Sequence, residues 1–259
     1  MTTENNPPKE KREVEVGGVK FNVGQRVAAI ITLCSLVIIA LGNFNDSSDA
    51  VEKLYDFGLS QFTTIPSQEK LNKIYIRASD SILEETFGAP VYIKHSYSGD
   101  VIKYYRDDKF ILSAVTKNDA LMAYLVFPSE GFIPNTDQHA GGADLLNTTF
   151  SQQESVQDFR STMSRMVTYY LEENATGEFS NLYSSVAGYT EFDTALDETH
   201  RTLLNRLSDD QTFGRDSQKD LEAVRAGFKP NFFGYSALQG IGPLEDAILT
   251  KSEYRLITQ

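Results

Sequence analysis

The chain has 259 residues, with 24 Lys and Arg against 36 Asp and Glu, and a formal net charge of −12 at pH 7. That excess of acid works against nucleic acid and anionic lipid headgroups, so neither is expected as a direct partner. A single cysteine, Cys34, excludes an internal disulfide framework.

Residues 1–22 form a polar tail with Pro7-Pro8, mixed charges and Gly17-Gly18, a composition expected to stay disordered. The next stretch contains Val27–Leu41, VAAIITLCSLVIIAL, without a charge. Extended from Val23, through Arg26 whose stem can snorkel, to Phe44, it makes a helix of roughly 33 Å, enough for a hydrocarbon core of about 30 Å. It is apolar on every side, unlike a helix at the surface of a soluble domain. A cleaved signal peptide is the alternative, since Ala40 and Gly42 resemble a cleavage site. Against it, the preceding tail is long and carries Glu4, Glu10, Glu13 and Glu15. Leu33 before Cys34 is too large for a lipobox. Residues 23–44 therefore read as a transmembrane helix.

Lys9, Lys11, Arg12, Lys20 and Arg26 precede this helix and only Lys53 follows closely. That asymmetry places the N-terminus in the cytoplasm and residues 46–259 on the outer side of the plasma (inner) membrane. The exported part keeps 19 basic and 32 acidic residues, a net −13. At about 210 residues it can bury a core without disulfides.

Val51, Leu54, Tyr55, Gly58, Leu59 and Phe62 follow helical spacing. A second helix is predicted from Ser67, with Leu71, Ile74, Tyr75, Ala78, Ile82 and Leu83 on one face. It ends at Phe87-Gly88-Ala89-Pro90, where glycine caps and proline stops it. Four strand candidates follow, Val91–Tyr97, Val101–Arg106, Phe110–Thr116 and Ala120–Phe127, separated by turn residues. The last two are apolar at both alternating phases, so the sheet needs cover on both faces. Helices before it supply one layer, and later parts of the chain must supply the other.

Residues 128–150 read as a long loop. Ser151-x-x-Glu154 reads as a capping box opening a helix through Val156, Phe159, Met163, Met166, Val167, Tyr170 and Leu171. Further helices are predicted around Phe179–Val186, Phe192–Leu207 and Gln218–Ala226, with a linker at Asp209–Ser217. Residues 227–242 read as loop, and Pro243–Leu249 as a short helix with proline in its first turn. The expected fold class is α+β: the transmembrane helix, a helical pair, a short antiparallel β-meander (71–127 with its helix) and a mainly helical set over 151–259.

Ile82-Leu83-Glu84-Glu85-Thr86-Phe87-Gly88-Ala89-Pro90, followed by a meander with Tyr104-Tyr105 and Phe110–Val115, resembles the small envelope lipoproteins of the BamE/SmpA type. In those, a helix ends at a Leu-Gly-x-Pro-like corner and feeds a short antiparallel sheet. Phe87 stands where leucine is usual, the lipidated cysteine is missing, and the likeness covers only about residues 71–127. The layout also resembles uncharacterised bacterial single-pass envelope proteins. The resemblance implies a scaffold or interaction role and transfers no catalytic residue.

Reactive motifs are scarce. His95, His139 and His200 are far apart and none has a ligand at metal spacing. Gly234-Tyr235-Ser236-Ala237-Leu238 approaches a nucleophile elbow, but Leu238 stands where the second glycine is needed and no strand clearly precedes it. Gly240-Ile241-Gly242 lacks the rest of a dinucleotide fingerprint. The pairs Glu84-Glu85, Glu172-Glu173 and Asp209-Asp210 read as solvated faces. Asn147-Thr148-Thr149 and Asn174-Ala175-Thr176 are glycosylation sequons only in a host that modifies exported proteins. Phe228, Phe232, Phe233 and Tyr235 form either a partner-binding patch or a plug over the uncovered sheet face. The functional expectation is a membrane-anchored, non-enzymatic envelope protein without cofactor or metal, an interaction or assembly module whose partner is an envelope protein. A hydrolase with an unrecognised site and a ligand-sensing exported domain are the alternatives.

Overall fold

The computed structural model describes residues 15–16, 19–20, 64–97, 99–136, 144–153, 156–175, 180–192 and 195–259. The expected transmembrane segment 23–44, the helix expected over Val51–Phe62 and His139 lie outside the described residues. Among the described residues no helix is long and apolar enough to cross a membrane. Contacts divide the chain into Met1–Leu59 and Ser60–Gln259. In the first unit, β1 (Glu15–Val16) pairs antiparallel with β2 (Val19–Lys20), so the tail expected to be disordered holds a short ladder.

The second unit is α+β. It begins with two helices where one was expected, α1 (Ile65–Asn72) and α2 (Asp80–Phe87). Between them Arg77 adopts a positive φ of 72°. The backbone there pairs with the sheet instead of continuing the helix: Arg77 N donates to Leu121 O at 2.7 Å and Leu121 N donates to Ala78 O at 2.9 Å. Ser79 then caps α2. The helix stops at Gly88, whose φ of 78° strains any residue with a Cβ. Pro90 leads into the meander β3 (Tyr92–His95), β4 (Val101–Arg106), β5 (Phe110–Lys117) and β6 (Ala120–Pro128).

The second half departs from expectation. Residues read as helices over 151–186 form a 3₁₀ turn, Phe150–Gln152, and three strands, β7 (Asp158–Met163), β8 (Thr168–Asn174) and β9 (Ser184–Thr190). A capping box does occur, but two residues earlier than expected, with Thr149 as cap and Gln152 reaching back, and it opens only the 3₁₀ turn; Glu154 lies outside the described residues. In β8, Tyr170 packs on one face of the sheet while Tyr169 and Leu171 pack on the other, a period of two. The apolar spacing that suited a helix also suits a strand buried on both sides. Helix α3 (Glu198–Phe213) starts after an Asp197 cap and runs into the expected linker, ending at Gly214 in the left-handed region. Helix α4 (Gln218–Gly227) follows, as expected. The stretch read as loop contains β10 (Phe232–Ser236). Two short helices close the chain, α5 (Gly242–Glu245) with Pro243 in its first turn and α6 (Lys251–Thr258).

All eight strands of this unit join one antiparallel sheet in the order β3-β4-β5-β6-β10-β9-β8-β7. It consists of two meanders of four strands, and α3 and α4 interrupt the second between β9 and β10. The β6–β10 seam alone links the two. One face packs on Leu71 and Leu83 from the first helical pair, on Ile74 between them, and on Leu204, Leu207, Leu221 and Val224 from α3 and α4. The other packs on Ile241, Leu244, Ile248, Leu249 and Ile257 from the C-terminus. Cover on both faces of β5 and β6, expected from their unbroken apolar runs, is thus supplied from both ends of the unit.

Glu191, just past β9, fastens both layers. Buried at 4% exposure, its carboxylate accepts from Arg201 Nη2 on α3 at 3.2 Å, Lys251 Nζ on α6 at 2.9 Å and Leu196 N at 3.1 Å. Burial alone would raise its pKa, but these donors together hold it below the ordinary value. A depressed carboxylate contributes stability above its unfolded pKa and loses it as pH falls through the folded one. Glu191→Ala is expected to cost about 3 kcal/mol near pH 7 by denaturant unfolding. The gap from the parent chain should close as the pH is lowered beyond the ordinary carboxylate pKa of about 4.3.

Candidate functional site

A polar cavity of about 540 Å³ opens where β8 ends, β9 begins and β10 ends. Glu173, near the end of β8, lies directly opposite Asp158 on β7. Ser184 opens β9 and Ser236 closes β10, and the two are register partners. Gln157, Asn181 and Leu182 complete the working part of the wall. The sheet is what brings these groups together, since they come from segments up to about eighty positions apart in sequence.

Glu173 is 7% exposed. Burial raises its pKa, its bond to Ser184 opposes that, and the charge of Asp158 adds to the rise. Ser184 Oγ stands 2.5 Å from Glu173 Oε1 and 3.1 Å from Ser236 O. A hydroxyl has one proton, so it cannot donate to both acceptors at once. The Ser184 hydroxyl is therefore shared between the Glu173 carboxyl and the Ser236 carbonyl. Ser236 Oγ accepts from Leu238 N at 3.1 Å.

The Asp158 flank is braced by cations and acids in series. Asp158 Oδ1 accepts from Phe159 N at 2.8 Å and from Arg160 Nη1 at 3.1 Å. Arg160 Nε lies 3.4 Å from Glu245 Oε1, and Tyr169 donates its hydroxyl proton to the other oxygen of Glu245. Two carboxyl groups on one sheet face repel when both are ionised. A cationic group entering the cavity relieves that repulsion.

No described residue lining the cavity is a histidine, cysteine or lysine. His200, the most heavily engaged described histidine, serves elsewhere. Its Nδ1 lies 2.6 Å from Asp197 Oδ2 and its Nε2 lies 3.1 Å from Gly227 O, tying the start of α3 to the end of α4. His95 lies exposed on β3. Among the described residues no group of three or more His, Cys, Asp and Glu could hold a metal ion.

The four aromatics named as a candidate patch are all inside. Phe228, Phe232, Phe233 and Tyr235 are 0–2% exposed, with Phe232 on one face of the sheet and the other three on the opposite one. They fill both layers as parts of a central strand and its approach, and present no surface to a partner. A strand does precede Ser236, contrary to expectation, but its serine is buried and turned to its own backbone. The pair Glu172-Glu173 is also not a solvated face. On a strand its members point to opposite sides, and both are buried. Two acids inside a run of tyrosines and leucine were the one signal in the sequence that pointed here.

No protein-family model matches the chain, and no curated protein matches it. Two solved structures show a distant likeness at 9% identity. One is a cysteine-rich secretory protein from Staphylococcus aureus subsp. aureus Mu50, with a TM-score of 0.32 over 62% of this chain and 44% of that one. The other is an extracellular protein containing a SCP domain from Bacillus anthracis str. Ames, with a TM-score of 0.34 over 64% and 44%. The chain therefore spans less than half the length of either. Likeness at this level identifies neither a shared fold nor an activity.

Proposed function

We propose that the chain is a membrane-anchored, non-enzymatic envelope protein whose exported unit binds a cationic group of a partner or ligand in the cavity between β7, β8 and β10. The anchor and its orientation rest on the uncharged stretch 27–41 and on the five basic residues before it. The binding reading rests on one observation: two facing carboxyl groups, Asp158 and Glu173, share a cavity rimmed by hydroxyl and amide groups. Those groups accept hydrogen bonds and attract positive charge.

The test is a thermal-shift titration of residues 46–259 with agmatine, and with glutarate as the anionic control. Agmatine at millimolar concentration should raise Tm by a few degrees and glutarate should not. Asp158→Asn should abolish most of that shift. An equal response to both probes, or a response to agmatine that survives Asp158→Asn, contradicts the reading.

A further inference from the structure

Strand β7 sends alternate side chains to the two faces of the sheet. Phe159 packs with the layer of α3 and α4, and Ser161 Oγ donates to Gln211 Oε1 of α3 at 2.6 Å. Asp158 and Arg160 therefore share the opposite face, which also carries Tyr169 and Leu171 of β8. There Arg160 reaches two acids at once. Its Nη1 lies 3.1 Å from Asp158 Oδ1, in the cavity wall, and donates to Phe159 O on its own strand at 2.9 Å. Its Nε lies 3.4 Å from Glu245 Oε1, a carboxylate outside that wall.

We propose that Arg160 is a built-in counter-ion of the cavity, and that an incoming cation displaces it from Asp158 onto Glu245. Displacement presupposes that the cavity takes a cation, as proposed above. No described residue lining the cavity carries a positive charge, so the cation on Asp158 comes from the flank. Asp158 faces Glu173 across the ladder, and Arg160 offsets the repulsion between the two carboxyl groups. An ammonium or guanidinium of a ligand on the same carboxylate meets Arg160 at close range, and like charges a few ångströms apart repel.

The flank is arranged to let Arg160 go. Its side chain is 41% exposed, so polar contacts hold it more than packing does. At 3.4 Å its contact with Glu245 is longer than a charge-assisted hydrogen bond of about 2.7–2.9 Å, and rotation of the side chain can shorten it. Tyr169 already holds Glu245 by the other oxygen, so the second acceptor is fixed in place. Released from Asp158, the guanidinium keeps a partner and no charge is stranded. The free energy of that transfer is subtracted from the affinity of any cation, so Arg160 sets how strong a binder must be to enter.

Isothermal titration of the full chain in mild detergent with agmatine tests the displacement. Arg160→Gln should bind agmatine about tenfold more tightly than the parent chain. Arg165→Gln, which removes an equal charge from the turn between β7 and β8, should change the affinity by less than about twofold. Glu245→Gln removes the place to which Arg160 retreats. It should weaken binding about tenfold with Arg160 present but only about twofold in the Arg160→Gln chain, where simple loss of a distant negative charge is all that remains. Equal or weaker binding by Arg160→Gln overturns the displacement and leaves the cavity reading standing. So does an equal gain from Arg165→Gln, or an equal effect of Glu245→Gln in both backgrounds. Agmatine that binds neither the parent nor Arg160→Gln overturns the cavity reading and the displacement together.

Discussion

Replacing Gly234 with alanine is expected to destabilise the exported unit by about 3 kcal/mol or more, the upper end of what overpacking costs. A Cβ built there would stand 2.0 Å from Tyr124 O and 2.8 Å from a methyl of Leu125, both on β6. The obstructing atom is backbone, in the strand that joins the two meanders, so relief requires the seam itself to open. Gly188→Ala makes a useful contrast. Its Cβ would meet the far end of the Phe232 ring at 2.0 Å, and a side chain can swing further than a peptide. Gly188→Ala should therefore cost less than Gly234→Ala, and urea unfolding of the two variants side by side measures the difference. Equal losses would mean that the seam yields as easily as a ring.

The second large effect concerns Glu172, which is fully buried. Its Oε1 accepts from Arg225 Nε at 2.7 Å and from the Tyr170 hydroxyl, and Arg225 Nη2 also donates to Phe150 O at 2.8 Å. Its Oε2 has no hydrogen-bond partner. Burial raises the pKa of Glu172, while Tyr170 and Arg225 pull it back. Arg225→Met removes the cation bonded to the buried Glu172 carboxylate and should cost about 3–5 kcal/mol at neutral pH. Arg225→Met with Glu172→Gln should recover most of that loss, because no buried charge is then left unpaired.

The pH dependence has a definite sign. A carboxyl whose folded pKa lies above its unfolded value favours the folded state below the unfolded pKa, and that contribution is lost as pH rises through the folded one. Glu172 and Glu173 both act in this direction. Arg225→Met alone should therefore lose stability steeply as pH rises from about 4.3, and the double variant should be nearly flat over the same range. A double variant as unstable as the single one would place the loss in packing around Phe150.

The first meander was legible because its signals agree. Phe110–Thr116 and Ala120–Phe127 are apolar at both phases, turn residues separate them, and Gly88 with Pro90 stops the preceding helix. The second meander was not, for a physical reason. A strand covered on both faces shows no alternation, and Tyr169, Tyr170 and Leu171 with Phe159 and Val167 suit a helix as well as a strand. Gly234 and Pro230 made β10 look like a loop, yet the glycine is there because Tyr124 leaves no room for a Cβ. The cavity was hidden for the same reason. Asp158, Glu173, Ser184 and Ser236 become neighbours only through strand pairing, so misreading four strands removed the site as well.

The seam between β6 and β10 governs how the molecule is made. Strand β10 pairs with β6 more than a hundred positions upstream in the sequence. Such distant partners meet late and slow folding down. During synthesis the first four strands emerge with the flank of β6 bare, and they stay so until the closing strand has been delivered. A nascent chain in that condition invites pairing with its neighbours, and the flank of β6 is the place where such mispairing starts until position 236 is in place.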